Sequence, residues 1–225
     1  MLEKRLQLIG QDHIVKLLEE GAPYISRQEI EKDLEEVDLS LVNELMKGNY
    51  LYQEPDMRDV APDDIIPASF ADTAEARECR KHGEELIRKG SVAVLIVAGG
   101  QGSRLGVDAP MGVVEVSPVR SKSLFQIHAE KILALSKRYA RAIPLFVMTS
   151  RENDGPTRRY FRERSFFGLN PEDVFFFTQG MLPSIDQDGE LIISRQGGLF
   201  MNPDGHGGTL AALRRSGCLE IMKDR

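Results

Sequence analysis

SVAVLIVAGGQGSRLGVDAPMG, residues 91–112, decides how the rest of the chain is read. Its first part, residues 92–97, is an unbroken apolar run rich in β-branched side chains. That is the pattern of a parallel strand covered on both faces, hence a central one. Ala98, Gly99, Gly100 and Gly102 follow at once. Small residues let a ligand approach the backbone, and glycine takes positive φ without strain. The loop then carries a cation, Arg104, and the segment turns at Pro110. A strand followed by a glycine-rich loop with an arginine is a cradle for nucleotide phosphates. It is not a P-loop, because no Lys-Ser or Lys-Thr follows Gly106. It is not a dinucleotide fingerprint either. Gly106 stands one residue out of register, and the stretch to Pro110 stops a helix from opening there.

Downstream, residues 144–148 read as a second buried strand ending at Thr149-Ser150, and residues 174–177 as a third ending at Thr178-Gln179-Gly180. Ligands in open α/β sheets bind beyond the carboxyl ends of the strands. The glycine loop, Thr149-Ser150 and Gln179 are therefore expected around one crevice. Gln179 carries a donor and an acceptor on one amide, the chemistry needed to read a nucleobase edge. Between the first two strands, the capping box Ser123-x-x-Gln126 predicts a helix to about Arg141, with Lys122 just before it. The arginines of residues 157–164 read as a solvated face, residues 185–193 as a β-hairpin around Asp188-Gly189, and residues 202–208 as a glycine turn before a helix from Thr209. Upstream, Ser26-x-x-Glu29 opens a helix whose stripe Ile30, Leu34, Val37, Leu41 and Leu45 runs to Lys47-Gly48. A proline-containing linker follows over residues 49–71, its Asp63-Asp64 pair read as facing water. Asp72-x-x-Glu75 then caps a helix ending at Lys89-Gly90.

The 225 residues suit one α/β domain with an accessory segment, divided as 1–72 (helical, with linker) and 73–225. A hydrophobic content of 41%, a charged content of 28% and a net charge of −6 are those of an ordinary soluble globular chain. An acidic chain is not expected to bind duplex nucleic acid, so any phosphate site must be a local basic spot. No apolar run approaches the roughly 18 residues that span a bilayer, so no membrane partner is expected. Cys79 and Cys218 show no metal or CxxC spacing, which favours free thiols in a reducing, cytoplasmic setting.

VLIVAGGQGSRLG resembles the signature loop of the UDP-sugar pyrophosphorylases, the family that includes UDP-N-acetylglucosamine and UTP–glucose-1-phosphate uridylyltransferases. The resemblance continues in the family's order through SKSLFQIHAEKILAL, MTS, FFFTQGMLPS and NPDGHGG, covering about Gly83 to the C-terminus. It implies a three-layer, Rossmann-like α/β sheet of the nucleotide-diphospho-sugar transferase type. That sheet is expected to be incomplete, with a helical N-terminal segment ahead of it. It also implies the transfer of UMP from UTP to a sugar-1-phosphate, N-acetylglucosamine-1-phosphate or glucose-1-phosphate, with release of pyrophosphate. By resemblance, Gly99, Gly100, Gln101, Gly102, Ser103 and Met111 line the nucleotide, and Arg104 and Lys122 are the catalytic cations, Arg104 on the β- and γ-phosphates. Gln179 contacts the uracil, Gly205 meets the base through its backbone, and His206 faces the ribose, phosphate or sugar. Mg²⁺ is implied as cofactor, with ligands expected beyond Arg225, so no metal ligand is nominated within the chain. The family's Pro-Lys-Gly stands here as Pro110-Met111-Gly112. That departure leaves open an alternative, a protein that binds UTP or UDP-sugar without turning it over.

Overall fold

The computed structural model describes residues 2–35, 37–47, 73–102 and 106–224. The expected linker with Asp63-Asp64 lies outside the described residues. Two compact units emerge, and they do not follow a single cut in the sequence. Among the described residues, 2–47 and 181–204 form one, and 73–180 with 205–224 the other. The division expected at 72–73 leaves residues 181–204 on the wrong side.

The first unit holds α1 (Leu2–Leu8), α2 (Asp12–Glu19), α3 (Arg27–Glu35) and α4 (Leu39–Met46), with the antiparallel pair β4 (Met181–Pro183) and β5 (Met201–Pro203). Leu6, Ile14, Ile30 and Leu34 are buried together with Leu191 and Leu199. Two buried polar side chains explain why the late segment joins these helices. The Gln11 amide donates to Gly189 O at 3.1 Å and accepts from Leu191 N–H at 2.7 Å. Asp33 accepts from Leu199 N–H at 2.9 Å. Both satisfy backbone groups that would otherwise be buried without a partner. The expected hairpin over residues 185–193 reduces to an isolated bridge, Ile185 to Leu191.

The single helix expected from Ser26 to Lys47 is two. Ser26 does cap α3, its Oγ accepting from Glu29 N–H at 3.4 Å. Asp38 then adopts an extended backbone and accepts from Ser40 and Leu41 N–H, starting α4 as a new helix. The break turns the late stripe: Val42 is buried, whereas Leu41 and Leu45 are exposed.

The second unit is built on a parallel sheet of order β1-β2-β3, comprising β1 (Val94–Val97), β2 (Leu145–Thr149) and β3 (Val174–Thr178). All five residues of β2 are buried. Leu145 and Val147 face one core with Phe125, Ala129 and Ile132 of α6 (Leu124–Tyr139) and Phe161 of α7 (Asp154–Glu163). Phe146 and Met148 face the other, with Ala212 and Leu213 of α8 (Thr209–Arg215) and Cys218 of α9 (Cys218–Asp224). Alternate residues of one strand thus enter two cores, which makes three layers. The central strand is β2, not β1. Among the described residues β1 pairs with β2 alone, and Val97 is exposed. α5 (Ala74–Lys89) precedes β1 and is capped by Thr73, whose Oγ1 accepts from Ala76 N–H at 3.1 Å. Asp72, the expected cap, lies outside the described residues. No described helix is long and apolar enough to cross a membrane.

Ser165, Phe166 and Phe167 follow α7 with φ of 46°, 51° and 56°. Three successive non-glycine residues in the left-handed region cost roughly 1–2 kcal/mol each. Aromatic packing offsets this: the Phe161 ring lies edge-on to Phe167 at 5.3 Å, and Phe166 sits at 6.2 Å. Phe161 also meets Phe125 at 5.1 Å and Phe176 at 5.2 Å, tying α6, α7 and β3 together. Replacing Phe161 with alanine is expected to cost about 3–5 kcal/mol of unfolding free energy. Urea titration followed by far-UV circular dichroism measures it, and a loss below about 1 kcal/mol would show that the ring is not the keystone of this core.

Candidate functional site

The three strands end side by side. Met148 O accepts Ala98 N–H at 2.7 Å, and Thr149 O accepts Gln179 N–H at 2.8 Å. The residue after each flanking strand is thereby locked to β2, and the glycine loop and Gln179 meet across its end. Gln179 is 7% exposed. Its side-chain amide lies where a Cβ on Gly99 would come within 2.7–2.8 Å, so a side chain there would displace the amide. Glycine at 99 leaves the amide its present place.

Beyond Gly99 the loop folds back on its own exit. Gly102 N–H donates to Ala109 O at 2.8 Å and Met111 N–H to Gly100 O at 3.1 Å, with Gln101 bridged to Pro110. Asn153 holds the loop from beneath, donating to Ala98 O at 2.9 Å and Gly100 O at 3.3 Å. The N–H groups of Gly99, Gly100 and Gln101 donate to no described residue. A run of N–H groups unpaired among the described residues, at a strand's carboxyl end, is available to an anion.

The glycines serve here by absence of bulk. Between residues 99 and 112, only Gly106 among the described glycines has positive φ. A Cβ on Gly102 would meet Val107 O at 3.0 Å, and one on Gly112 would lie 2.1–2.5 Å from the Phe125 ring. The expectation that these glycines supply unusual φ is corrected: they supply room. Met111 is 38% exposed, with its Cε toward Gly100. Arg104 and Ser103 lie outside the described residues.

Lys122 precedes α6, which Ser123 caps by accepting from Gln126 N–H at 3.2 Å. The Lys122 ammonium is paired with Glu130, whose other oxygen accepts from the Gln126 amide at 2.9 Å. The Lys122 hydrogen bond first, then that of Gln126, holds the Glu130 carboxyl below its usual range. His206 is exposed on the 3₁₀ turn His206–Gly208, its carbonyl accepting from Thr209 Oγ1 at 2.7 Å. Gly205 before it has φ of 67°. No hydrogen bond among the described residues joins Gly205 or His206 to the glycine loop. The structure thus brings Gly99, Gly100, Gln101, Gly102, Met111 and Gln179 together.

Thr149 and Ser150, expected to line the crevice, are buried and occupied structurally. Thr149 Oγ1 donates to Asp154 at 2.7 Å, and Asp154 also accepts from Arg158 Nε at 2.7 Å. Ser150 N–H donates to Asn153 Oδ1 at 2.8 Å, and Asn153 N–H to Ser150 Oγ at 3.3 Å. Arg158, expected in a solvated basic face, also donates to Phe176 O at 3.2 Å. Sequence reading missed Asn153 and Glu130. The reciprocal pattern Ser150-x-x-Asn153 at a strand end was the available signal for the first. Glu130, eight residues after Lys122, falls outside the usual helical pair spacing.

A parallel three-layer sheet with a glycine loop and a glutamine at adjacent strand ends is an α/β domain of the nucleotide-diphospho-sugar transferase type. The chain belongs to the UTP–glucose-1-phosphate uridylyltransferase family, whose model matches residues 16–225. It is 33% identical over 240 residues to UDP-N-acetylglucosamine diphosphorylase 1 of Arabidopsis thaliana, covering 100% of this chain and 47% of the plant protein. To the UDP-N-acetylglucosamine pyrophosphorylase of Saccharomyces cerevisiae it is 42% identical over 138 residues, 60% of this chain and 29% of the yeast protein. The crystal structure of the Trypanosoma brucei uridine diphosphate N-acetylglucosamine pyrophosphorylase, in complex with inhibitor, superposes with a TM-score of 0.74 at 33% identity. That match covers 93% of this chain and 44% of that one. The chain spans about half the length of the first curated relatives it matches.

The Lys122–Glu130 pair makes a pH-dependent contribution to stability. Its carboxyl binds a proton less readily folded than unfolded, so the unfolded chain holds more protons and stability rises with pH across that window. The contribution is full above the ordinary glutamate value of about 4.3 and is lost as pH falls through the lowered folded value. Glu130→Gln is therefore expected to be less stable than the native chain at neutral pH, the gap closing in acid. Urea titrations across pH test this, and a gap independent of pH would show that the pair contributes nothing through charge.

Proposed function

We propose that this chain carries the UTP-binding half of a uridylyltransferase that transfers UMP to a sugar-1-phosphate. The observation that carries the reading is the row of N–H groups at Gly99, Gly100 and Gln101, unpaired among the described residues and set beside the buried amide of Gln179. The N–H row suits phosphate oxygens, which accept hydrogen bonds, and the amide suits the uracil edge, which needs one donor and one acceptor. Relatives named for UDP-N-acetylglucosamine at 33–42% identity favour N-acetylglucosamine-1-phosphate as the acceptor. Solved UDP-glucose pyrophosphorylases of Leishmania major stand lower, near 22%.

In the proposed reaction a phosphate oxygen of the sugar-1-phosphate attacks the α-phosphorus of UTP. The bond from that phosphorus to the bridging oxygen breaks, and pyrophosphate leaves with the electron pair. Positioning and charge stabilisation carry such a step more than any side-chain nucleophile. Gln179 fixes the base, the loop N–H groups hold phosphate oxygens, and Arg104 and Lys122 are the assigned cations. Lys122 must exchange Glu130 for phosphate to act. Gly205 and His206 are assigned to the base and to the ribose or sugar by resemblance. Mg²⁺ as cofactor rests on the resemblance too. The described residues hold no group of three or more His, Cys, Asp or Glu side chains that could bind it.

Met111 supports a second reading, a UTP- or UDP-sugar-binding protein without turnover. Its exposed thioether stands at the loop's exit where the resembled family has a lysine. It brings no charge and no donor to developing negative charge. Loss of one such preorganised donor typically costs about 10²–10³ in rate.

Calorimetric titration with UTP and Mg²⁺ tests both readings. The native chain is expected to bind UTP. Gln179→Ala, which leaves a uracil donor and acceptor unpaired, is expected to weaken binding by roughly 10–100-fold. Met111→Lys is expected to tighten it by adding a phosphate contact. If neither the native chain nor Met111→Lys takes up UTP, the nucleotide reading fails. Pyrophosphate release from UTP and sugar-1-phosphate by a protein retaining Met111 would sink the non-catalytic reading.

A further inference from the structure

We propose that Asn153 is the positioning residue of the glycine loop, setting which backbone groups of residues 98–101 face the crevice. The inference takes its ligand from the nucleotide reading above, but its geometry stands independently. Asn153 is fully buried. Its Nδ2 donates to Ala98 O at 2.9 Å and Gly100 O at 3.3 Å, and its Oδ1 accepts from Ser150 N–H at 2.8 Å. Both amide hydrogens are therefore spent on a loop more than fifty residues away in sequence.

The planar trans peptide turns these two bonds into a consequence for the ligand. In each unit the C=O of one residue and the N–H of the next point in opposite directions. Fixing Ala98 O toward Asn153 turns Gly99 N–H away from it, and fixing Gly100 O does the same for Gln101 N–H. These are two of the three loop N–H groups that donate to no described residue. Gly100 O also accepts from Met111 N–H at 3.1 Å, so donors from two segments hold one carbonyl inward.

Asn153 is itself fixed. It forms the reciprocal pair with Ser150, and the next residue, Asp154, is clamped by Thr149 Oγ1 and Arg158 Nε. Arg158 is anchored in turn on Phe176 O, with its guanidinium 5.0 Å from the Phe176 ring centroid. A chain of bonded side chains thus runs from β3 through the start of α7 to the loop. Asn153 touches the loop's carbonyl side, so its role is to orient donors.

Two variants separate this role from general support of the fold. Asn153→Ala deletes both donors. Asn153→Asp keeps the shape but sets a carboxylate against two carbonyl oxygens. Burial and that repulsion raise the new carboxyl's pKa, and in its protonated form it regains one donor. The readouts are amide exchange by NMR at Met111 and Gly102, which report loop closure, and UTP affinity by calorimetry. Amide exchange in β2 serves as the control. Asn153→Ala is expected to speed exchange at Met111 by about tenfold or more with β2 unchanged, and to weaken UTP binding by roughly 10–100-fold. For Asn153→Asp, the UTP deficit relative to the native chain is expected to narrow as pH falls and the new carboxyl protonates. A merely structural role would not produce that profile.

Exchange at Met111 and Gly102 within about twofold of native in both variants, with UTP bound equally by all three chains, would overturn the positioning role and leave the nucleotide reading intact. A native chain that binds no UTP, while exchange responds as expected, would overturn the nucleotide reading and uphold Asn153 as the holder of the loop.

Discussion

Two consecutive carbonyls of β2 decide what stands at the mouth of this sheet. Met148 O takes the amide of Ala98 from one side, and Thr149 O takes the amide of Gln179 from the other. Because all three strands run parallel, with Val97 beside Met148 and Met148 beside Phe177, both connections leave in the same direction. The loop after β1 and the glutamine after β3 therefore emerge next to one another and nowhere else. Such an arrangement needs a central strand that does not shift, and all five residues of β2 are buried between two apolar layers. A one-residue slip would exchange Leu145 and Val147 with Phe146 and Met148 across the sheet, ruining both cores at once.

In the proposed reading, that geometry lets an acidic chain hold an anion without a broad basic surface. The donors at the loop are backbone N–H groups, which carry no net charge and need no counter-ion. Their orientation is enforced by carbonyls turned the other way. Lys122, the described lysine of the proposed site, is paired with Glu130, and in the proposed reading its charge becomes available when a phosphate displaces the carboxylate. Such an exchange favours a ligand with phosphate charge over a neutral one, because a neutral group does not replace the ion pair it breaks.

Much of this was legible in the sequence where the cause is local. The caps at Ser26 and Ser123 form because a hydroxyl reaches an N–H three residues on, and both stand as read. The three strands were visible as apolar runs. Their order was not: an apolar run looks alike at the centre and the edge of a sheet, so the pattern at residues 92–97 suits a central strand although β2 holds that place. The helix break at Asp38 was hidden because Val37 and Leu41 still fall on the helical period, although the capping carboxylate overrides it. Long-range polar bonds were beyond reach altogether. Nothing local says that Gln11 completes the backbone at Leu191, or that Asn153 reaches Ala98 and Gly100. These are the bonds that assemble the first unit and hold the site.

The glycines of residues 99–112 show how a motif can be read correctly for the wrong reason. Glycine-rich loops invite an argument from conformational freedom, yet none of Gly99, Gly100, Gly102 and Gly112 has positive φ. What excludes a side chain is contact: the Gln179 amide at Gly99, the Val107 and Ala109 carbonyls at Gly102, and the Phe125 ring at Gly112. Gly100 differs, since the nearest atom to a Cβ there is Met111 Cε at 3.9 Å, an ordinary contact. Among the described residues nothing excludes a methyl group at residue 100. In the nucleotide reading, the room at Gly100 faces the incoming phosphate rather than a packed neighbour.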